Sequence, residues 1–112
     1  MPDDLDPEDA KLVTLARGAR GRIGAPSGAA LRDETGRTYS GADVALTSLS
    51  VSAVNLVVAQ AASSGSRGVE ALVVVGADPS EADLAAIRDL GGTGVPVLVC
   101  ETDGHVRAIL AT

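Results

Sequence analysis

The chain has 112 residues, enough for one hydrophobic core that removes roughly two thirds of the unfolded surface from water. Nine basic residues against fifteen acidic ones leave a net charge of −6, which argues against a non-specific grip on nucleic acid. Phe and Trp are absent and Tyr39 is the only aromatic, so the core falls to Val, Leu, Ile and Ala, and few groups remain to stack on a base or sugar.

The chain opens "MPDDLDPEDA", acidic and without a basic n-region or apolar h-region, so no secretory leader is expected. Asp6 followed by Pro7, Glu8 and Asp9 is a helix start: a capping carboxylate, a proline in the first turn, and acids near the positive dipole end. Leu12, Val13, Leu15 and Ala16 supply its buried stripe, and Gly18 and Gly21 are expected to end it around Arg20. Arg17, Arg20 and Arg22 crowd that end. They read as a solvated helix terminus favoured by the dipole, with a phosphate or RNA contact as the competing use.

"PSGAALRDETGRTYSGADV" reads as a hairpin, with strands over about Ser27–Arg32 and Arg37–Ala42 and a turn at Asp33–Gly36. A second helix is expected from about Ser48 to Ser64, stopped by Gly65, with apolar residues around most of its circumference. It lies in a charge-free window, Val44 to Ser66. Thr47, Ser48, Ser50, Ser52, Asn55 and Gln60 make that window too polar to span a membrane. "VEALVVVG" is a strand covered on both faces. "ADPSEADLAAIRDLGG" is a third helix with Asp78 as cap, Pro79 in the first turn and Gly91 as the stop. "VPVLVC" is another buried strand, "ETDGH" a turn, and "VRAIL" a final edge strand. The order αββαβαββ implies an α/β fold: a three-layer α/β/α sandwich around a mixed five-stranded sheet, one domain over residues 1–112.

Cys100 is the only cysteine, which excludes an internal disulfide and a multi-cysteine zinc site. Cys100 and His105 flank Glu101 and Asp103. Such a cluster could bind a transition metal weakly, but a half-buried strand-end thiol and an exposed turn histidine account for the same residues without one. Ser27 and Ser80 lack a His–Asp arrangement for acyl transfer. High Ala, Gly, Arg and Asp with a single Lys has the look of a GC-rich bacterial genome, and a soluble cytoplasmic protein is expected.

From Pro26 to Leu110 the chain resembles the small nucleoside cytidine deaminases, and the helix before Pro26 fits too. The resemblance rests on the hairpin "PSGAALRDETGRTYSGADV", the strand "VEALVVVG" and the closing "VPVLVCETDGHVRAIL". It implies a zinc hydrolase that converts cytidine to uridine. Its metal is held by a Cys or His opening one helix and by the two cysteines of a Pro-Cys-x-x-Cys opening the next, with a Glu two residues after the first ligand moving protons. Laid on that pattern without gaps, the first ligand falls on Val54 and the catalytic Glu on Leu56. Pro79 matches, but the cysteine positions fall on Ser80 and Asp83.

Valine has no lone pair and leucine moves no proton. One carboxylate with a serine beside it is a poor zinc site. Loss of general acid/base help alone costs about 10²–10⁴ in rate. The family's nucleoside-contacting Phe falls on Ala25, and its ribose-binding Asn and Glu fall on Asp43 and Ala45.

The expectation is therefore a zinc-free, cofactor-free pseudoenzyme that acts by association, with copies of itself or with an unknown protein partner. The resemblance implies a dimer or tetramer with the helix of the first zinc motif near its centre. Ser50, Ser52, Ala53 and Ala59 would allow close approach there, and Asn55 would hydrogen-bond across an axis. The alternatives are a module binding a nucleoside or small polar ligand through Asp43, Asn55 and Ser80, assisted by helix-start N–H groups, and an active deaminase.

Overall fold

The computed structural model describes residues 5–112. The acidic opening over residues 1–4 lies outside them. The elements are α1 (Pro7–Ile23), β1 (Gly28–Asp33), β2 (Thr38–Ala42), β3 (Val44–Ala45), β4 (Ser50–Val51), α2 (Ala53–Ser63), β5 (Val69–Val75), α3 (Glu81–Gly91), β6 (Pro96–Cys100) and β7 (Val106–Ala111). Five strands form a mixed sheet in the order β2-β1-β5-β6-β7. Only the pair joined through a helix, β5 and β6, runs parallel; the other neighbours are antiparallel. A parallel pair needs a long crossover, which α3 supplies. The α/β sandwich and its mixed sheet are thus as expected, with β7 at an edge.

Alternation along the central strands feeds two apolar layers. Leu72, Val74, Val97 and Val99 point to the face covered by Ala53, Val54, Val57 and Ala61 of α2 and Ile87 of α3. Ala71, Val73, Val75, Leu98 and Cys100 point to the face covered by Leu12, Val13 and Ala16 of α1. With no large aromatic in the core, small side chains bring the layers close. A Cβ on Gly28 would lie 2.3 Å from the Ala16 carbonyl oxygen and 2.8 Å from the Arg20 amide nitrogen. Only glycine permits α1 to cross β1 there.

Three boundaries depart from expectation, each for a local reason. Helix α1 runs through Gly18 and Gly21 to Ile23 and stops at Gly24, whose φ of 64° supplies the left-handed terminus. Helix α2 starts at Ala53, capped by Ser52, rather than near Ser48. The residues before it form the two-residue strands β3 and β4, paired Val44 to Val51 and Ala45 to Ser50. The cap of α3 is Ser80, not Asp78. Asp78 is instead ion-paired with Arg107.

Candidate functional site

The N-termini of α2 and α3 meet through Ser52 and Asp83, with Asp43, just after β2, bonded to the first residue of α2. The positions assigned to the zinc motifs lie in or just before the first turns of these two helices. Each helix start leaves backbone N–H groups without helical partners. In α2 the Ser52 Oγ accepts from the Asn55 N–H at 3.0 Å. The N–H of Ala53 is taken by Asp43, whose Oδ1 lies at 2.7 Å. In α3, Ser80 and Asp83 form a reciprocal capping box: the Asp83 N–H donates to Ser80 Oγ and the Ser80 N–H to Asp83 Oδ2, both at 3.0 Å. Ser52 then donates its hydroxyl proton to Asp83 Oδ1 at 2.6 Å.

Asp43 is anchored on its other side as well. Its Oδ2 accepts from the Ser27 N–H at 2.8 Å, and Ser27 Oγ donates to the carboxylate at 2.8–2.9 Å. Both oxygens of Asp43 are therefore engaged by protein donors. The Ser80 hydroxyl accepts within its own helix start. Of the three residues expected to line a polar pocket, only Asn55 has a buried side-chain atom left over: its Oδ1 has no hydrogen-bond partner among the described residues. No pocket opens among those residues.

The assigned metal and acid positions are filled by other chemistry. Val54 is 1% exposed and packs in the core beneath α2. Leu56 is half-buried, and its side chain lies on Gly41, where an added Cβ would come within 2.7 Å of Leu56 Cδ2. Asp83 is buried and hydrogen-bonded to both caps. The zinc that the resemblance implies needs three donors and an open position. Here one position carries an alkyl group, one a hydroxyl already accepting a backbone bond, and one a carboxylate shared by two donors. The residues do not fit the metal. The described residues hold no group of three His, Cys, Asp or Glu side chains placed for any metal.

The remaining candidates lie apart from this cluster. Ala25 is buried, while Ala45 is exposed and paired in the β3–β4 ladder. Cys100 is fully buried rather than half-buried, and burial pushes its thiol up to about 11. His105 is exposed in the β6–β7 turn, its N–H donating to Asp103. The sequence reading missed Ser52 as a partner of Asp83. It also missed Asp33, which is fully buried under the hairpin turn and accepts from Thr35, Arg37 and Ser66. The spacing of Ser80 and Asp83 was a readable capping box. No local pattern signals the bond from Ser52.

Comparison with known proteins bears on the fold. Three solved structures share the fold: the cytidine deaminase of Burkholderia pseudomallei (24% identity, 91% of this chain and 89% of that one, TM-score 0.77), that of Mycobacterium leprae (17% identity, 95% and 94%, TM-score 0.76), and that of Mycobacterium tuberculosis (24% identity, 82% and 85%, TM-score 0.71). Among curated proteins none matches. The cytidine deaminase-like family model matches residues 5–104. With nearly the whole described chain under that match, the chain belongs to the cytidine deaminase-like family.

Proposed function

We propose that this chain is a non-catalytic, zinc-free member of its family that works by association, its partner a second copy of itself. One observation carries the non-catalytic part: the positions assigned to metal ligands and proton shuttle hold Val54, Ser80, Asp83 and Leu56, and the two polar ones are committed to capping helices. Without an activated water and a general acid, hydrolytic deamination of a cytosine ring lacks both its nucleophile and its proton path.

Association is supported by the charge-free window from Val44 to Ser66. It exposes Leu46 (64%) and Leu49 (56%) on the β3–β4 hairpin, and Ala59, Ala62 and Ser63 on α2. Two copies of a chain with net charge −6 repel one another over most of their surface, and an uncharged apolar face is where they approach at least cost. Of the residues expected to line such a contact, Ser50 and Ala59 are exposed, whereas Ala53 is in the core and Ser52 is used by Asp83.

Sedimentation equilibrium over micromolar concentrations tests this. A dimer that becomes a monomer in Leu46→Glu/Leu49→Glu, without change in circular dichroism, is expected. A wild-type monomer throughout removes the association role. Ligand binding is favoured by one feature, the unpartnered Asn55 Oδ1. A panel of nucleosides at millimolar concentration would raise the melting temperature if that reading held.

A further inference from the structure

We infer that Asp83 is the cross-link between the two helix starts, a carboxylate doing by hydrogen bonds what a shared metal ion does by coordination. A capping box is complete with one carboxylate oxygen, and Asp83 uses Oδ2 for it, at 3.0 Å from the Ser80 nitrogen. Oδ1 leaves its own helix and takes the Ser52 hydroxyl proton at 2.6 Å, across 31 positions of sequence. The Ser52 oxygen in turn caps α2 through the Asn55 N–H. One side chain, 7% exposed, thus serves the N-termini of two helices. Its negative charge faces the positive ends of both dipoles. Asp43 extends the join by tying the α2 start to Ser27, just before β1.

That this link occupies a metal's place rests on the zinc-free reading above; that it joins the helices does not. The consequence is a fold whose α2–α3 junction is closed without a cation. Ser52 has both its proton and an oxygen lone pair in use, and Asp83 has each oxygen in use, so loss of either side chain unsatisfies groups in both helices.

A double-mutant cycle on the full chain tests the cross-link: Ser52→Ala, Asp83→Ala and the pair, each unfolded in urea. The expected result is a double variant whose folding equilibrium is about tenfold better than the product of the single losses. Agreement with that product to within about twofold means two independent caps and overturns the inference. Should the double variant not fold, amide exchange in Asp83→Ala alone decides. Faster exchange in the first turn of α2 as well as of α3 supports the link, and change confined to α3 overturns it. Zinc content of the wild-type protein is measured alongside. Stoichiometric zinc removes the metal-free reading whatever the cycle gives, and an additive cycle removes the cross-link whatever the zinc.

Discussion

Leu56→Glu returns a carboxylate to the position that the family resemblance assigns to the catalytic acid, and it should harm the fold without creating activity. Leu56 is half-buried against Gly41. Full burial of a leucine side chain is worth about 1.5–3 kcal/mol, so its half-burial contributes about 1 kcal/mol. A carboxylate brought to the same surface with no donor waiting for it adds a desolvation cost of about 1–2 kcal/mol. The sum is a loss of roughly 2–3 kcal/mol at neutral pH. With a urea m-value of about 1–1.5 kcal/mol/M for a domain of this size, the midpoint should fall by about 2 M. Partial burial raises the pKa of the new carboxyl. The penalty is therefore full above that raised pKa and shrinks as pH falls through it towards about 4. Leu56→Met, close in volume and uncharged, should cost less than about 1.5 kcal/mol. No uridine should form from cytidine in either variant. A glutamate variant as stable as wild type would refute the packing of Leu56, and one that turned over cytidine would refute the reading of the whole site.

Two further outcomes follow from buried groups. Burial alone would push the Asp33 carboxyl up, but hydrogen bonds from Ser66, Thr35 and Arg37 outweigh it and hold its pKa well below the usual carboxylate range. Its stabilisation is complete above the unfolded-state pKa of about 4 and is lost as pH falls through the depressed folded value. Asp33→Asn should therefore lose about 3 kcal/mol at pH 7 in urea titrations and show a flatter decline than wild type below about pH 4; parallel declines would contradict the role given to Asp33. Cys100, buried with its thiol pushed up to about 11, should resist iodoacetamide at pH 8 in the native protein and react once unfolded. Native-state alkylation at the rate of a free thiol would place it elsewhere.

The sheet was legible because its central strands are continuous apolar runs bounded by turn residues, and a run such as that of β5 has few other uses. The hairpin of β1 and β2 was legible for the same reason, with Gly36 at its turn. The helix starts were read less well. Ser48 and Ser50 precede α2 as plausibly as Ser52 does, and Asp78-Pro79 competes with Ser80 ahead of α3. Ser80 is selected by its local capping-box partner Asp83, whereas Ser52 is selected by a tertiary bond to the same Asp83, which local patterns do not contain. Gly18 and Gly21 misled in the other direction. An added Cβ would meet nothing at either position, so they cost α1 only about 1 kcal/mol each in propensity, and the helix runs on to Gly24, whose left-handed backbone and bond to the Arg20 carbonyl end it.

The candidate site divides the same way. The shortage of donors was visible by counting, since one Cys and one His supply no three-ligand set in any register. The present use of Asp43 and Asp83 was not visible. Each bonds to a residue ten or more positions away, and only the meeting of the two helix starts brings those partners together. At the start of α2, Ser52 serves as the cap by accepting from the Asn55 N–H, while Val54 and Val57 go to the core. Among the described residues no helix is long and apolar enough to cross a membrane.

The most direct test measures bound zinc and cytidine turnover together on the same purified protein. The account predicts zinc far below stoichiometry, a urea midpoint that a chelator leaves unchanged, and no uridine. Stoichiometric zinc with measurable uridine would contradict it.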